Sequence, residues 1–511
     1  MTPTRREFVG HLARASLAAT IVPRHVLGGP GYQAPSDTVN VAIIGAGGMG
    51  AHDAIELLSQ NIVAICDVDF AYVERTLRDR RDDKDPKEAD KGRRLTDAFN
   101  AARRYTDFRV LLDQQRDLDA VVIATPDHTH AIIAKRAMEA GKHVYVQKPL
   151  TWSVYEARVL LDTARKTGVV TQMGNQGHST VEAAWINDTL RTGEIGPVRD
   201  VHCWTNRPIW PQGMPLPATP EQLAEFAAKA REEEDEHFLN WRRYGETLRY
   251  AMALPAPDFD PSRRGTGWPV PAHLDWDLFL GPAPEIPYHP IYHPFNWRGW
   301  VPFGVGALGD MGAHLIDHPY WAFELEYPAT VEATSSPWGG GEEQPATYPQ
   351  ATLVRYQYPS TRGRAPVHIT WYDGGLMPPR NDMLPADFQF DRTGGVMYVG
   401  ERGLLIHETY GQNPRLFPQD LAERRGPAPK TDEDLGPGHE MNWIRAIRGE
   451  EQATSPFEMA APLTENMLLG LVALRAGQGR VIRYDPVRMH VVNVPEANRF
   501  LHREYRTGWT L

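Results

Sequence analysis

Three groups of residues in this chain combine side-chain type and spacing in ways that do chemistry. The first is Lys148 in "HVYVQKPL", where an apolar, strand-like run ends in a lysine followed at once by proline. Pro149 restricts the residue before it to extended geometry, so Lys148 leaves the strand in one direction. An ammonium fixed at the carboxyl end of a strand can hydrogen-bond a hydroxyl and stabilise negative charge developing on its oxygen. A strand that merely ends in a polar residue reads the same way, so the other two groups decide.

The second group is "NVAIIGAGGMG", in which Gly45, Gly47 and Gly50 form G-x-G-x-x-G. An apolar run precedes it and "AHDAIELL", with helical spacing, follows. The next apolar run, "IVAICDVD", ends at Asp67, 22 residues after Gly45. Strand, glycine turn, helix and strand closed by an acid is the order of a dinucleotide site. The glycines, with Gly48 and Met49 between them, let a pyrophosphate approach the backbone at a helix N-terminus. The Asp67 carboxylate accepts hydrogen bonds from the adenosine ribose hydroxyls and repels a 2′-phosphate, so NAD is expected rather than NADP.

The third group is "GALGDMGAHLIDHPYWAFEL". Asp310 and His314 are four residues apart and share one helix face. A carboxylate beside an imidazole holds its tautomer and raises its basicity. The same spacing also suits a capping Asp and a packed His. With His318 the row becomes D-x3-H-x3-H, a metal-ligand spacing, but no further ligand is evident and no metal is expected. A fourth stretch, "YHPIYHPFNWRGW", carries His289 and His293, and its prolines Pro290 and Pro294 argue against a shared helix. It reads as a loop whose aromatic and polar groups, Trp297 and Arg298 among them, line a sugar pocket.

The elements that must position these groups fall into two patterns. Residues 36–174 alternate strand and helix, which implies a parallel sheet covered on both faces. "LDAVVIATPDH" is a strand breaking at Thr125-Pro126. "HAIIAKRAMEAGK" is a helix stopped by Gly141, and Ser153 with Glu156 form a capping box for a helix ending near Gly168. The charged stretch 80–94 reads as a solvated loop or helix surface. From residue 175 to 511, strand-like runs such as "VRDVHCWTN", "ATLVRYQY", "APVHITWYD" and "GGVMYVGERGLLIHE" appear without regular helices between them. They predict a second, α+β domain on a largely antiparallel open sheet. The stretch 208–300, rich in Pro, Trp and acidic residues, reads as a long insertion forming one wall of a pocket, with "EEEDEHF" a solvated helix face.

At 511 residues the chain is too long for one ordinary core. The net charge of −11 and the lack of a basic tract exclude nucleic acid as an expected partner. Cys66 and Cys203 are expected as two buried free thiols. Residues 1–35 start with a twin arginine, Arg5-Arg6, followed by Phe8 and a weakly apolar stretch; this resembles a bacterial twin-arginine export signal, so a periplasmic location is expected. Beyond it no run reads as long and apolar enough to span a membrane.

Together these pieces resemble the glucose–fructose oxidoreductase / inositol dehydrogenase (Gfo/Idh/MocA) family over most of the chain. The most specific stretch is "ATPDHTHAIIAKRAMEAGKHVYVQKPL". The resemblance puts Lys148 on the family's active-site lysine and His130 on its cofactor-side histidine, with Thr125, Pro126 and His128 in the same motif. Gln147 stands where the family usually has Glu. Asp310 and His314 fall on the second-domain Asp and His, so His314 is expected to take the substrate proton with Asp310 orienting it. "MGNQGHS" resembles an exported subgroup acting on sugars or glycosides, which implies that Asn175, Gln176 and His178 border the substrate, and His318 joins them. The expected activity is NAD-dependent oxidation of a secondary hydroxyl of a sugar, glycoside or polyol to a ketone, with tightly held cofactor and a homo-oligomeric state. A redox-neutral glycosidase acting through a transient 3-keto sugar needs the same Lys, His and NAD. A non-catalytic sugar-binding protein needs none of them.

Overall fold

The computed structural model describes residues 38–214, 216, 269–361, 363–430 and 438–511. The export signal expected at 1–35 and the "EEEDEHF" run lie outside them. Strand β1 (Asn40–Ile44), helix α1 (Met49–Glu56) and β2 (Asn61–Cys66) come first. Then follow α2 (Phe70–Arg81), α3 (Pro86–Ala101), β3 (Arg103–Tyr105), α4 (Phe108–Gln114) and β4 (Ala120–Ile123). Helix α5 (Asp127–Glu139), β5 (His143–Gln147), α6 (Val154–Thr167) and β6 (Thr171–Gly174) complete the first sheet.

All six strands pair in parallel, in the order β3-β2-β1-β4-β5-β6. Helices on both faces leave the central strands apolar throughout, and Val41, Ile43, Val121 and Val144 have no exposed surface. The strand order reverses between β1 and β4, and the crevice at their carboxyl ends is where such sheets bind ligands. Residues 80–94 hold the end of α2, a turn at 82–85 and much of α3, with Asp69 and Asp85 capping the two helices through the amides of Tyr72 and Lys87. The Ser153–Glu156 capping box is formed in both directions, and Gly168, at φ 68°, ends α6.

The second domain holds α7 (Val181–Arg191), β7 (Val198–Thr205), α8 (Trp276–Leu280), α9 (Gly306–Leu315) and α10 (Asp317–Ala322). Strands β8 (Thr330–Ser335), β9 (Thr352–Tyr358), β10 (Val367–Tyr372), β11 (Gly394–Gly400), β12 (Leu404–Glu408) and β13 (Arg415–Phe417) follow. The chain then adds α11 (Gln419–Arg425), α12 (His439–Ile447) and α13 (Phe457–Ala476). The seven strands run β13-β12-β11-β7-β10-β9-β8. Only the β7–β10 pair is parallel. The two edge strands were not foreseen: β8 reads "TVEATS", polar at every second position, and β13 has three residues.

Two corrections concern α12 and α13. They return to the first domain, where Trp443 and Ile444 of α12 join the core built on β1 and β2. Helix α13, 20 residues long, is apolar and long enough to cross a membrane by length and composition, contrary to the expectation that no such run exists. Here it is largely buried in protein, and it carries Thr464, Glu465 and Asn466 inside the fold, with Glu465 paired to Arg158 of α6. Cys66 and Cys203 are both free and buried.

Candidate active site

The glycine turn sits between β1 and α1, and its backbone dictates its residues. Gly45 has φ +84°, and a Cβ there would meet the Ala124 carbonyl at 2.7 Å. A Cβ at Gly50 would lie 2.1 Å from the Gly45 oxygen, so this glycine lets α1 pack against the turn. The N-terminus of α1 has no side-chain cap and no acid in its first turn, which leaves its amides and dipole open to an anion. Asp67, at the end of β2, accepts from the Gly47 amide at 3.2 Å and the Asp69 amide at 2.9 Å. Burial pushes its carboxyl up to about 6, against the pull of the Asp69 amide and of His293. These features fit a dinucleotide: an open-amide turn for the pyrophosphate and a carboxylate for the ribose.

A cleft of about 300 Å³ runs from Asp67 to Lys148. Gly45, Gly47, Gly48 and Met49 line it, together with Thr125, Pro126, Gln147 and Lys148. Gly50 lies behind the turn. His128 and His130 are also set back and do not line this cleft. His130 bridges two turns, with ring nitrogens 2.8 Å from the Pro149 oxygen and 2.7 Å from the Thr125 oxygen. His128 reaches the carbonyls of Phe279 at 2.8 Å and Phe303 at 3.2 Å. Both are buried, and burial lowers them to about 4 and about 3 respectively. Their placement positions the cleft walls rather than the cofactor itself.

The described part of the 208–300 insertion folds over this cleft. Phe279, His293, Phe295, Trp297 and Arg298 line it. Trp276 stacks on Phe279 and Tyr292, with ring centroids 4.9 and 5.9 Å apart, which stiffens the cap. His293 Nε2 and His273 Nδ1 both lie 2.9 Å from the Asp69 carboxylate. Burial of Asp69 works to raise its pKa, but the His293 hydrogen bond and the Tyr72 amide hold it at about 2. Asp69 thus stays ionised and pins the cap to the first domain. Trp297 and Arg298, expected against the sugar, stand at the cofactor cleft beside Lys148.

Lys148 ends β5, and its peptide bond to Pro149 is cis. Its ammonium donates to Asp310 Oδ1 at 2.7 Å and to the Asp310 backbone oxygen at 2.9 Å. Two of its three protons are used, leaving one for a ligand oxygen. Arg298 Nε stands 3.4 Å from Asp310 Oδ1 and Arg207 Nε 3.8 Å from Oδ2. Burial opposes ionisation of Asp310, but Lys148 and then Arg298 hold its carboxyl well below the usual range. Asp310 therefore clamps the lysine. It makes no hydrogen bond to His314, which corrects the expectation that it orients that ring.

His314 shares the α9 face with Asp310 and is buried. Its Nδ1 has no hydrogen-bond partner among the described residues, and its ring meets Tyr410 edge-on at 4.7 Å. Burial, and then Lys148, push its pKa well below the ordinary value, so the ring is neutral and ready to accept a proton. The D-x3-H-x3-H row does not converge on a point. Asp310 is taken by Lys148, and His318 packs edge-on against His407 at 4.7 Å with neither ring nitrogen partnered among the described residues. Asn175 Nδ2 and His178 Nδ1 converge on Asp317, each at 3.0 Å. Both are buried, so they support the wall that carries His318. Gln176 reaches Glu440 at 3.4 Å.

Gln147 has a local explanation. Its Nε2 donates to both oxygens of Asp53, at 2.9 and 3.0 Å. Asp53 is on α1 with no exposed surface, and burial, then Glu440, push its carboxyl well up. A second acid at position 147 would face the buried Asp53 carboxyl. Asp53 was missed, although a charge among Ala51, Ala54 and Leu57 on the buried stripe of α1 is a readable signal. Arg207 and Tyr410 were missed as well, because nothing in their local sequence marks them.

Residues 39–175 match the Gfo/Idh/MocA oxidoreductase family's NAD-binding Rossmann fold, and residues 264–336 match that family's C-terminal alpha/beta domain. An alpha-N-acetylgalactosaminidase of Shewanella oneidensis is 30% identical over 193 residues, 36% of this chain and 39% of that protein. The scyllo-inositol 2-dehydrogenase (NAD(+)) of Bacillus subtilis is 37% identical over 79 residues, 16% of this chain and 23% of its own. Each match spans less than half of the curated relative. The WlbA dehydrogenase of Bordetella pertussis, solved with NADH and UDP-GlcNAcA, shares the fold at TM-score 0.51 and 15% identity, over 88% of this chain and 99% of its own. With a family match in each domain and the cleft built as described, the chain belongs to the Gfo/Idh/MocA oxidoreductase family.

Proposed function

We propose that this protein oxidises a secondary hydroxyl of a sugar, glycoside or polyol to a ketone, using NAD held in the cleft between Asp67 and Lys148. The observation that carries this reading is one ammonium, clamped by Asp310, lining the cleft with a neutral imidazole nearby. Bound NAD supplies the hydride acceptor, C4 of its nicotinamide. The third N–H of Lys148 holds the reacting hydroxyl oxygen and stabilises the charge that develops on it. Asp310 keeps that ammonium charged and aimed. His314 takes the hydroxyl proton, which its neutral state allows. Trp297 and the cap exclude water from the cleft.

The cap also supports tightly held cofactor, since Asp69 ties it down through His293 and His273. The Arg5-Arg6-x-Phe8 pattern supports twin-arginine export to the periplasm of a folded protein already carrying its NAD. We further propose that it works as a homo-oligomer. A redox-neutral glycosidase is the second reading, favoured by the alpha-N-acetylgalactosaminidase match. In it, the same residues oxidise the sugar transiently, the aglycone leaves by elimination, water adds, and the hydride returns.

One experiment separates the two. Protein purified without added nucleotide is denatured and the released cofactor identified, before and after incubation with a glycoside panel. NAD converted to NADH supports the dehydrogenase. Cofactor that remains NAD while free sugar accumulates supports the glycosidase. A preparation with no nucleotide overturns tight binding.

A further inference from the structure

Charge around Asp310 is out of balance. Lys148, Arg298 and Arg207 all face this one carboxylate, and their side chains are only 13%, 17% and 26% exposed. His314 is neutral. Asp127, the next acid that feels Arg298 and Lys148, is pushed up to about 7 by burial and adds only part of a negative charge. The chain as a whole carries −11, so this local excess of positive charge runs against the protein's own field. Among the described residues no second carboxylate forms an ion pair with Lys148, Arg298 or Arg207, and partly buried cations short of counter-ions are costly.

Lys148 and Arg298 line the cofactor cleft, whereas Arg207 does not. Arg207 follows β7 in the second domain, and its charge acts on His314 and Tyr410. Its backbone is anchored at both ends: the amide donates to Thr205 Oγ1 at 3.3 Å, and the carbonyl accepts from the Gly374 amide at 2.6 Å. Nη1 donates to Asn206 Oδ1 at 2.7 Å, which sets the plane of the guanidinium. A fixed, planar fork of donors suits an oxyanion better than a neutral hydroxyl.

We propose that Arg207 reads an anionic substituent on the substrate, so that the preferred substrates are acidic carbohydrates bearing a carboxylate or a sulfate. This rests on the sugar-oxidising reading for its chemistry, but not for its binding. The test uses purified holoenzyme and matched methyl glycosides: neutral, uronate and 6-sulfate forms of the gluco, galacto and manno series. Binding is measured by calorimetry and turnover by the absorbance of bound cofactor and by released sugar. In at least one series an acidic member binds about 10- to 100-fold tighter than its neutral counterpart. Added salt narrows that gap. Arg207→Gln brings the acidic-to-neutral ratio close to one, and Arg207→Lys retains part of it.

Which acid wins names the oxyanion. Equal or tighter binding of every neutral member overturns the proposal, as does an unchanged ratio in Arg207→Gln. Arg207-dependent binding of acidic sugars without oxidation or cleavage of any sugar would leave this inference standing and remove the reaction reading. Turnover of neutral sugars with no acidic preference would do the reverse.

Discussion

Asp310 holds Lys148 by two oxygens, its side-chain Oδ1 at 2.7 Å and its backbone carbonyl at 2.9 Å. The carboxylate and the ammonium come from different domains, so closing the sheet edge of one against α9 of the other assembles the site. Asp310→Asn is expected to lower the rate of cofactor reduction by about 100- to 1,000-fold, the usual effect of losing one preorganised charge at a reacting centre. Cofactor content should change little, because Asp310 does not line the dinucleotide cleft. A variant with more than a tenth of the normal rate would show that the clamp is not needed.

His314 is kept neutral by burial and by Lys148. A base with a lowered pKa stays unprotonated as pH falls, and loses activity only well below the ordinary histidine range. The rate is therefore expected to be flat from about pH 8 down to about pH 6. His314→Ala should cost about 100- to 10,000-fold. An acid limb centred near the ordinary histidine value, present in the wild type and absent in His314→Ala, would contradict the neutral-base assignment.

Asp53 and Gln147 form a buried pair in which the carboxyl is raised. A carboxyl whose folded pKa lies above its unfolded value binds its proton more tightly when folded. It supports stability at low pH, and that support is lost as pH rises through the folded value. The gain in melting temperature of Asp53→Asn over wild type should accordingly grow with pH. Gln147→Glu sets a second acid beside the first and should melt lower than wild type, increasingly so at alkaline pH. Thermal unfolding across the pH range checks both, and parallel curves would refute the linkage.

His293 ties the cap to Asp69 at 2.9 Å. Removing it in His293→Ala is expected to speed cofactor loss about tenfold, in line with a hydrogen bond to a charged group. Nucleotide retained after extended dialysis is the readout. Equal retention in variant and wild type would mean that the aromatic stack alone holds the cap.

Asp67 decides between cofactors. Asp67→Ser should weaken NAD and strengthen NADP relative to it, by about tenfold in the ratio. Since burial raises the Asp67 carboxyl to about 6, NAD affinity should also fall as pH drops below that value and the acceptor is protonated. Titration calorimetry with stripped protein at several pH values measures both effects.

Local sequence determined much of this protein. G-x-G-x-x-G and Asp67 were legible because a tight turn admits only glycine and a ribose site needs an acid at the strand end. The Ser153–Glu156 box, the α9 spacing of Asp310 and His314, and the break after Lys148 were legible for the same reason: each is a local relationship between residues a few positions apart. Pairings between distant residues were not. That Asp310 serves Lys148 and not His314 depends on how two domains dock, and the four-residue spacing permits either. Arg207 enters the site because β7 lies at the centre of the second sheet, a register that alternation alone leaves open. Gln147 made sense only once Asp53 stood 2.9 Å away, 94 positions earlier in the chain. The cap shows the same division: its aromatic composition marked a pocket wall, but the docking of His293 on Asp69 placed that wall on the cleft that holds the glycine turn.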